Sequence, residues 1–232
     1  MNVLKKAGLL VSLLSTGFGL TASADSFLIN TGSDVAPYEF LSSLNRGAYS
    51  TLYTFDGDGH GFETYIQFNI PSDLLPEGHI VTSASFLVYY AFGYSAYGDT
   101  SQDPGTLTAY QISEDWQEST MTWSNRPNAT LLIDEITDIS SFGTQIFDVT
   151  QTAQDWLSGS SENYGIALKS PTSRVFGFNS FEADVADALK ATLVINTEPL
   201  PEVPTLAHIG LAILTMSVAG VAVFQLQKEQ TS

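Results

Sequence analysis

No cysteine occurs anywhere in the chain. That excludes disulfides, thiolate zinc sites, iron–sulfur clusters and cysteine nucleophiles. A domain of this composition must hold together by its own core, with or without a bound ion. Positive charge is almost as scarce, with 8 Lys and Arg against 25 Asp and Glu. Between positions 25 and 200 the count is 23 acidic to 5 basic, about −18 at neutral pH. Such a field repels a phosphate backbone and an anionic membrane surface, so no nucleic-acid partner is expected. Divalent cations or neutral partners fit better. Histidine is rare too: His60 and His79 are the two between these positions, and His208 follows in the tail. No G-x-S-x-G, H-E-x-x-H, phosphate loop or dinucleotide fingerprint occurs, and no catalytic residue is assigned. Acidic pairs such as Glu114/Asp115 and Asp134/Glu135 arise in so acidic a chain without any function.

What is present is enough for a fold. The 232 residues are 44% hydrophobic and 12% aromatic, which suits one packed domain rather than a disordered chain. Both ends read as addresses. Residues 1–24 have the pattern of a signal peptide. Lys5 and Lys6 precede an apolar run over 7–20, and Ala22-Ser23-Ala24 offers a cleavage site that would leave Asp25 as the first mature residue. An uncleaved anchor helix is the alternative. Near the other end, residues 206–226 form an uncharged apolar run of 21 residues, long enough for a transmembrane helix. A Pro-rich linker over 198–205 precedes it, and a polar tail over 227–232 follows.

Between these ends the pattern is all-β. Apolar and polar residues alternate over 64–70, where Ile66, Phe68 and Ile70 share a face, and over 85–90, where Phe86, Val88 and Tyr90 do. Further strands are expected over 106–112, 144–148, 165–169, 175–180 and 191–196, separated by Gly, Pro, Asn, Asp and Ser. The expectation is a β-sandwich or jelly roll with one short helix, spanning residues 25–197. In that helix Asp148 or Thr150 is the cap, Val149, Ala153, Trp156 and Leu157 form the apolar stripe, and Gly159 lies past its end. It would cover one open end of the sandwich.

Two resemblances add to this reading. Val203-Pro204-Thr205-Leu206, followed by the apolar run, resembles the IPTL/VPTL variant of PEP-CTERM sorting signals. This implies recognition by an exosortase-like membrane peptidase and export linked to extracellular polysaccharide. The Arg-rich cluster usual in that family is reduced here to Lys228, and a plain single-pass anchor is the alternative. Either reading places the acidic domain at the cell envelope, cell surface or extracellular matrix, membrane-anchored at least transiently.

The second resemblance lies in the domain itself. Trp116-Gln117-Glu118-Ser119-Thr120-Met121-Thr122-Trp123 is followed by Pro127, by Phe147-Asp148-Val149-Thr150 with Trp156, by Asn163-Tyr164-Gly165, and by Phe178-Asn179-Ser180-Phe181-Glu182. Upstream stand Asn45-Arg46-Gly47 and Phe68-Asn69-Ile70-Pro71. In this order the blocks resemble the DNRLRE domain family. That implies a jelly-roll-like domain of exported proteins, some of whose relatives are carbohydrate-binding modules, and it carries no catalytic set. Read as a strand, 116–123 sends Trp116, Glu118, Thr120 and Thr122 to one face and Trp123 to the other. The tryptophans suit a core, with sugar stacking as the alternative.

Two segments look chemical. Asp56-Gly57-Asp58-Gly59-His60-Gly61-Phe62-Glu63 spaces carboxylates along a Gly-rich turn, so Asp56, Asp58 and Glu63 are candidate ligands for calcium. Asp56, Asp58 and Gly61 match positions 1, 3 and 6 of an EF-hand loop, but His60 stands at position 5 and Gln67 at position 12, and no helices flank it, so the alternative is a solvated acidic hairpin turn. Residues 89–97 are rich in tyrosine, and Tyr90, Tyr94 and Tyr97 are candidates for a glycan platform. A core role for Tyr90 is the alternative. The function that fits best is a non-catalytic surface or matrix protein binding extracellular polysaccharide. A structural or adhesive matrix protein without a defined glycan, and a polysaccharide-degrading enzyme, are the alternatives.

Overall fold

The computed structural model describes residues 24–93 and 104–200. The rest of the signal segment, Tyr94 and Tyr97, the sorting motif Val203-Pro204-Thr205-Leu206 and the apolar run after it lie outside the described residues.

The described chain is an all-β sandwich with one α-helix. Its strands are β1 (Asp25–Val35), β2 (Thr51–Thr54), β3 (Thr64–Phe68), β4 (His79–Phe92), β5 (Gly105–Ile112), β6 (Ala129–Ile139), β7 (Gly143–Asp148), β8 (Ile166–Lys169), β9 (Phe176–Asn179) and β10 (Thr192–Pro199), with α1 (Thr150–Ser158) between β7 and β8. The ladder runs β2-β9-β4-β10-β1-β3-β8-β5-β6, with β7 also pairing β4. The seven strands expected from alternation are all present. β1, β2 and β6 were not expected, and β1 and β6 break the period that signals a strand. β1 shifts register between Thr31 and Ser33, at Gly32, and β6 shifts three times against β5.

The shift in β1 joins the two layers. Asp25 to Asn30 pair with β10, and Thr31 to Val35 pair with β3. A Cβ at Gly32 would meet the Asn69 side chain, which would have to move aside, so glycine leaves room for Asn69 at the bulge. Between the layers lies the main core. Phe86, Phe147, Phe176, Phe178, Leu193 and Ile195 face Ile66, Phe68, Leu107, Ile166 and Leu168 in one cluster. Phe86 stacks on Phe147 at 5.6 Å and meets Phe68 edge-on at 5.7 Å.

β3 and β8 are buried on both faces. Ile66 and Ile166 point into the main core, while the opposed pair Tyr65 and Ala167 points outward under Val35, Ile112, Trp116 and Met121. The cover comes from 113–128, which corrects the expected strand over 116–123. This segment turns at Gln117, whose carbonyl accepts from the N–H groups of Thr120 and Met121, and then forms a 3-10 turn at Trp123–Asn125. Trp116 and Met121 both point inward. Five positions apart, they could not share one face of a strand.

The helix follows its sequence signals closely. The Asp148 carboxylate accepts from the Thr150 N–H at 2.9 Å and its hydroxyl at 2.6 Å, although Val149 occupies the cap position itself. Ala153 and Trp156 are buried, Leu157 packs beside them, and Gly159 ends the helix at φ 73°. α1 packs against β4, where Gln154 donates to the Val81 carbonyl.

A candidate glycan groove and a carboxylate triad

Strand parity builds the first feature. On the outer face of β3, β8, β5 and β6, Glu63 precedes β3 beside Lys169. Lys169 lies opposite Thr108, and Thr108 opposite Glu135. The next row on the same face is Tyr65, Ala167 and Tyr110. The rows are wired together. Lys169 Nζ lies 3.5 Å from Glu63 and 5.3 Å from the Tyr110 ring centroid. Arg126 Nε lies 3.1 Å from Glu63, Tyr65 donates its hydroxyl to Glu63 at 2.6 Å, and Thr108 donates to Glu135 at 3.2 Å. Burial, and then the Glu63 charge, push the Tyr65 hydroxyl far up, so it stays a donor.

Above these rows is a groove of about 410 Å³. Phe55, Phe62 and Pro171 line it together with Tyr110, Lys169, Glu135 and Asp56. This is the size and mixture of a small-molecule site: ring faces for apolar patches, with a few fixed polar groups. Phe62 extends it into an aromatic surface. Tyr38 stacks on Phe62 at 4.2 Å, His60 stacks on Phe40 at 4.6 Å, and the Tyr38 hydroxyl meets His60 Nδ1 at 3.0 Å. A larger depression of about 530 Å³ lies between β6 and α1, but no aromatic ring or cation lines it.

The candidate metal residues do not converge. Asp56 and Asp58 are exposed on the tip of a hairpin turn closed by paired bonds between Phe55 and Phe62 at 3.1 and 3.0 Å. Glu63 is taken up by Arg126 and Lys169. Among the described residues, Asp56, Asp58 and Glu63 are not a set with ligand atoms within 4.8 Å of one another. Among the glycan candidates, Tyr90 is 1% exposed. Strand parity turns its ring into the core against Phe176 at 5.0 Å, so it offers no face to a ligand. Trp116 and Trp156 are buried too, and Trp123 lies under the Arg126 guanidinium at 3.7 Å.

Asp34, Glu118 and Glu182 do converge. One oxygen from each lies within 4.8 Å of the others. They come from the end of β1, from the 113–128 cover and from the turn after β9. Burial first, then Glu182 and Glu118, push the Asp34 carboxyl up to about 7, against a bond from the Phe181 N–H and the Lys190 charge. Burial and Glu182 likewise raise Glu118 to about 7, against a bond from the Asp34 backbone N–H. Sequence reading missed this set. Glu118 and Glu182 stand in the quoted blocks, but nothing local places them beside Asp34.

The blocks prove to be the joints of this region. Asn45 Nδ2 donates to the carbonyls of Glu118 and Met121 at 2.6 and 2.7 Å, and Trp116 Nε1 donates to the Tyr164 carbonyl at 2.8 Å. Gly165, at φ 96°, packs against the Ile66 carbonyl where no side chain would fit. Set on this scaffold, the family model for carbohydrate-binding modules matches residues 20–197. The chain belongs to carbohydrate-binding module family 96. Family 96 membership bears out the carbohydrate-binding part of the sequence resemblance, and it points to binding rather than catalysis. No curated protein matches the chain. For a family 96 domain, the Tyr110 groove has the ring and polar groups a sugar needs.

Proposed function

We propose that this family 96 protein is an exported, non-catalytic polysaccharide-binding protein of the cell surface or matrix, and that the glycan lies in the Tyr110 groove. The observation that carries this is the ring of Tyr110 set beside Lys169, Thr108 and Glu135 on one sheet face. An aromatic face packs against the C–H face of a sugar, while neighbouring hydroxyls meet an ammonium donor and carboxylate acceptors. Lys169 is the one cation lining the groove, against Asp56, Glu63 and Glu135. A neutral, hydroxyl-rich chain therefore suits it better than a polyanion. The signal-like pattern of residues 1–24 supports export on a jelly-roll-like scaffold. The motif Val203-Pro204-Thr205-Leu206, with the apolar run after it, supports handling by an exosortase-like peptidase and transient membrane anchoring.

Affinity electrophoresis of the full-length chain in mild detergent, against neutral and acidic polysaccharides, tests this. Retardation by a neutral glycan is expected. Tyr110→Ala should weaken it about tenfold, the ~1.4 kcal/mol of one ring contact, and Tyr110→Phe should keep most of it. Equal mobility of wild type and Tyr110→Ala in every retarding gel would move the site elsewhere. No retardation by any glycan would sink the reading for that panel.

A further inference from the structure

We propose that Asp34, Glu118 and Glu182 form a calcium site that ties the 113–128 cover to both sheet layers. Three carboxylates whose oxygens lie within 4.8 Å of one another repel unless a cation or a proton sits among them. Oxygens around calcium lie about 2.3–2.6 Å from the ion, so a set about 5 Å across is the size of its shell. Among the described residues the Lys190 charge acts on Asp34, but it forms no ion pair with the set. None of the ion pairs among the described residues includes the three carboxylates. Lys190 is turned to Asp187 at 3.9 Å and to the Phe181 carbonyl at 2.9 Å.

A second observation is independent of the clustering. Asp34 is 1% exposed, and its Oδ1 has no hydrogen-bond partner, while Oδ2 accepts from the Phe181 N–H at 2.8 Å. A bare buried carboxylate oxygen is costly, and a metal bond is one of the few things that offsets the cost.

The donors select the ion. All are carboxylate oxygens with no imidazole or thiolate, which disfavours zinc and suits a hard cation. They come from three segments with no common geometry, which suits calcium's flexible shell better than the strict octahedron of magnesium. The surroundings hold the ligands in place. A Cβ on Gly47 would lie 2.6 Å from Glu118 Cγ, so a glycine lets that loop close on Glu118, and Asn45 anchors the Glu118 carbonyl. The site differs from the Asp56–Glu63 turn suggested by the sequence. It also stands without the glycan reading, since its test uses no glycan.

The test is calorimetric titration and thermal unfolding of the full-length chain in mild detergent, stripped with EDTA and then given calcium or magnesium. Calcium at 100-fold over its Kd should raise Tm by about 5–10 °C, and magnesium much less. Glu182→Gln, on the surface, and Glu118→Gln should each abolish the shift. Asp56→Asn with Asp58→Asn should leave it intact. The absence of both binding heat and a Tm shift would overturn the proposal. So would a response that survives Glu182→Gln and Glu118→Gln, or one lost on changing Asp56 and Asp58. If Glu118→Gln stabilises the stripped protein while calcium does nothing, the carboxylates share a proton instead, and the calcium site is refuted.

Discussion

Asn45 and Glu118 are 73 residues apart and joined by a short hydrogen bond, from Asn45 Nδ2 to the Glu118 carbonyl at 2.6 Å. The same amide reaches the Met121 carbonyl at 2.7 Å. One side chain thus fixes both ends of the turn that roofs Tyr65 and Ala167. It also sets the height of Glu118 above Asp34.

Asn45→Ala would leave two part-buried carbonyls without a donor. The expected cost is about 2 kcal/mol, or roughly 4–8 °C in Tm for a domain of this size. Scanning calorimetry of the full-length chain in detergent reads it directly. An unchanged Tm would mean that water replaces the amide at no cost, and that the turn is held by Trp116 and Met121 alone.

Tyr90 provides a contrast with Tyr110. Tyr90 is buried against Phe176 and Phe142, and its hydroxyl lies near Val175 and Arg174. Tyr90→Ala should cost about 3–5 kcal/mol, as for other large aromatic truncations in a core. Tyr90→Phe should fold and bind glycan as the wild type does. Loss of glycan binding in a stably folded Tyr90→Phe would return this tyrosine to the ligand site.

Asp148 gives a pH signature. Its bonds from Thr150 hold the carboxyl below the ordinary value of 3.8. A depressed pKa contributes stability that is present above the ordinary value and lost as pH falls through the folded one. Asp148→Ala should therefore be less stable at neutral pH by about 1 kcal/mol, the usual size of a helix-capping bond. The gap between wild type and variant should be full well above the ordinary value of 3.8 and narrow as pH falls below it. Unfolding curves from neutral to acid pH check it, and a gap that does not narrow with falling pH would assign the loss to something other than the charged carboxylate.

Where the signal was local, the sequence reading succeeded. The alternation over 64–70 and 85–90 foretold β3 and β4, and Gly159 foretold the helix end, because period and φ preference belong to neighbours in the chain. Where one face had to be chosen, it faltered. The W-x-E-x-T-x-T-W block has the period of a strand, yet the need to cover Tyr65 and Ala167 turns it into a roof. Tyr90 and Tyr110 are both strand tyrosines rich in apolar neighbours. Their fates differ because β4 presents Tyr90 to the core, while β5 presents Tyr110 to the outer face.

Composition and short motifs alone determined the strong negative charge, the lack of any thiol chemistry, the all-β character and the kinship to carbohydrate-binding modules. Each depends only on residue types and near spacing. The tertiary structure alone decided which carboxylates meet. Asp56, Asp58 and Glu63 are close in sequence, but their ligand atoms do not come together as a set, and Glu63 goes to two cations. Asp34, Glu118 and Glu182 are far apart in sequence, and they meet because the β1 bulge, the 113–128 roof and the turn after β9 close on one point. The convergence of charges depends on chain path across the whole fold, which no local pattern encodes.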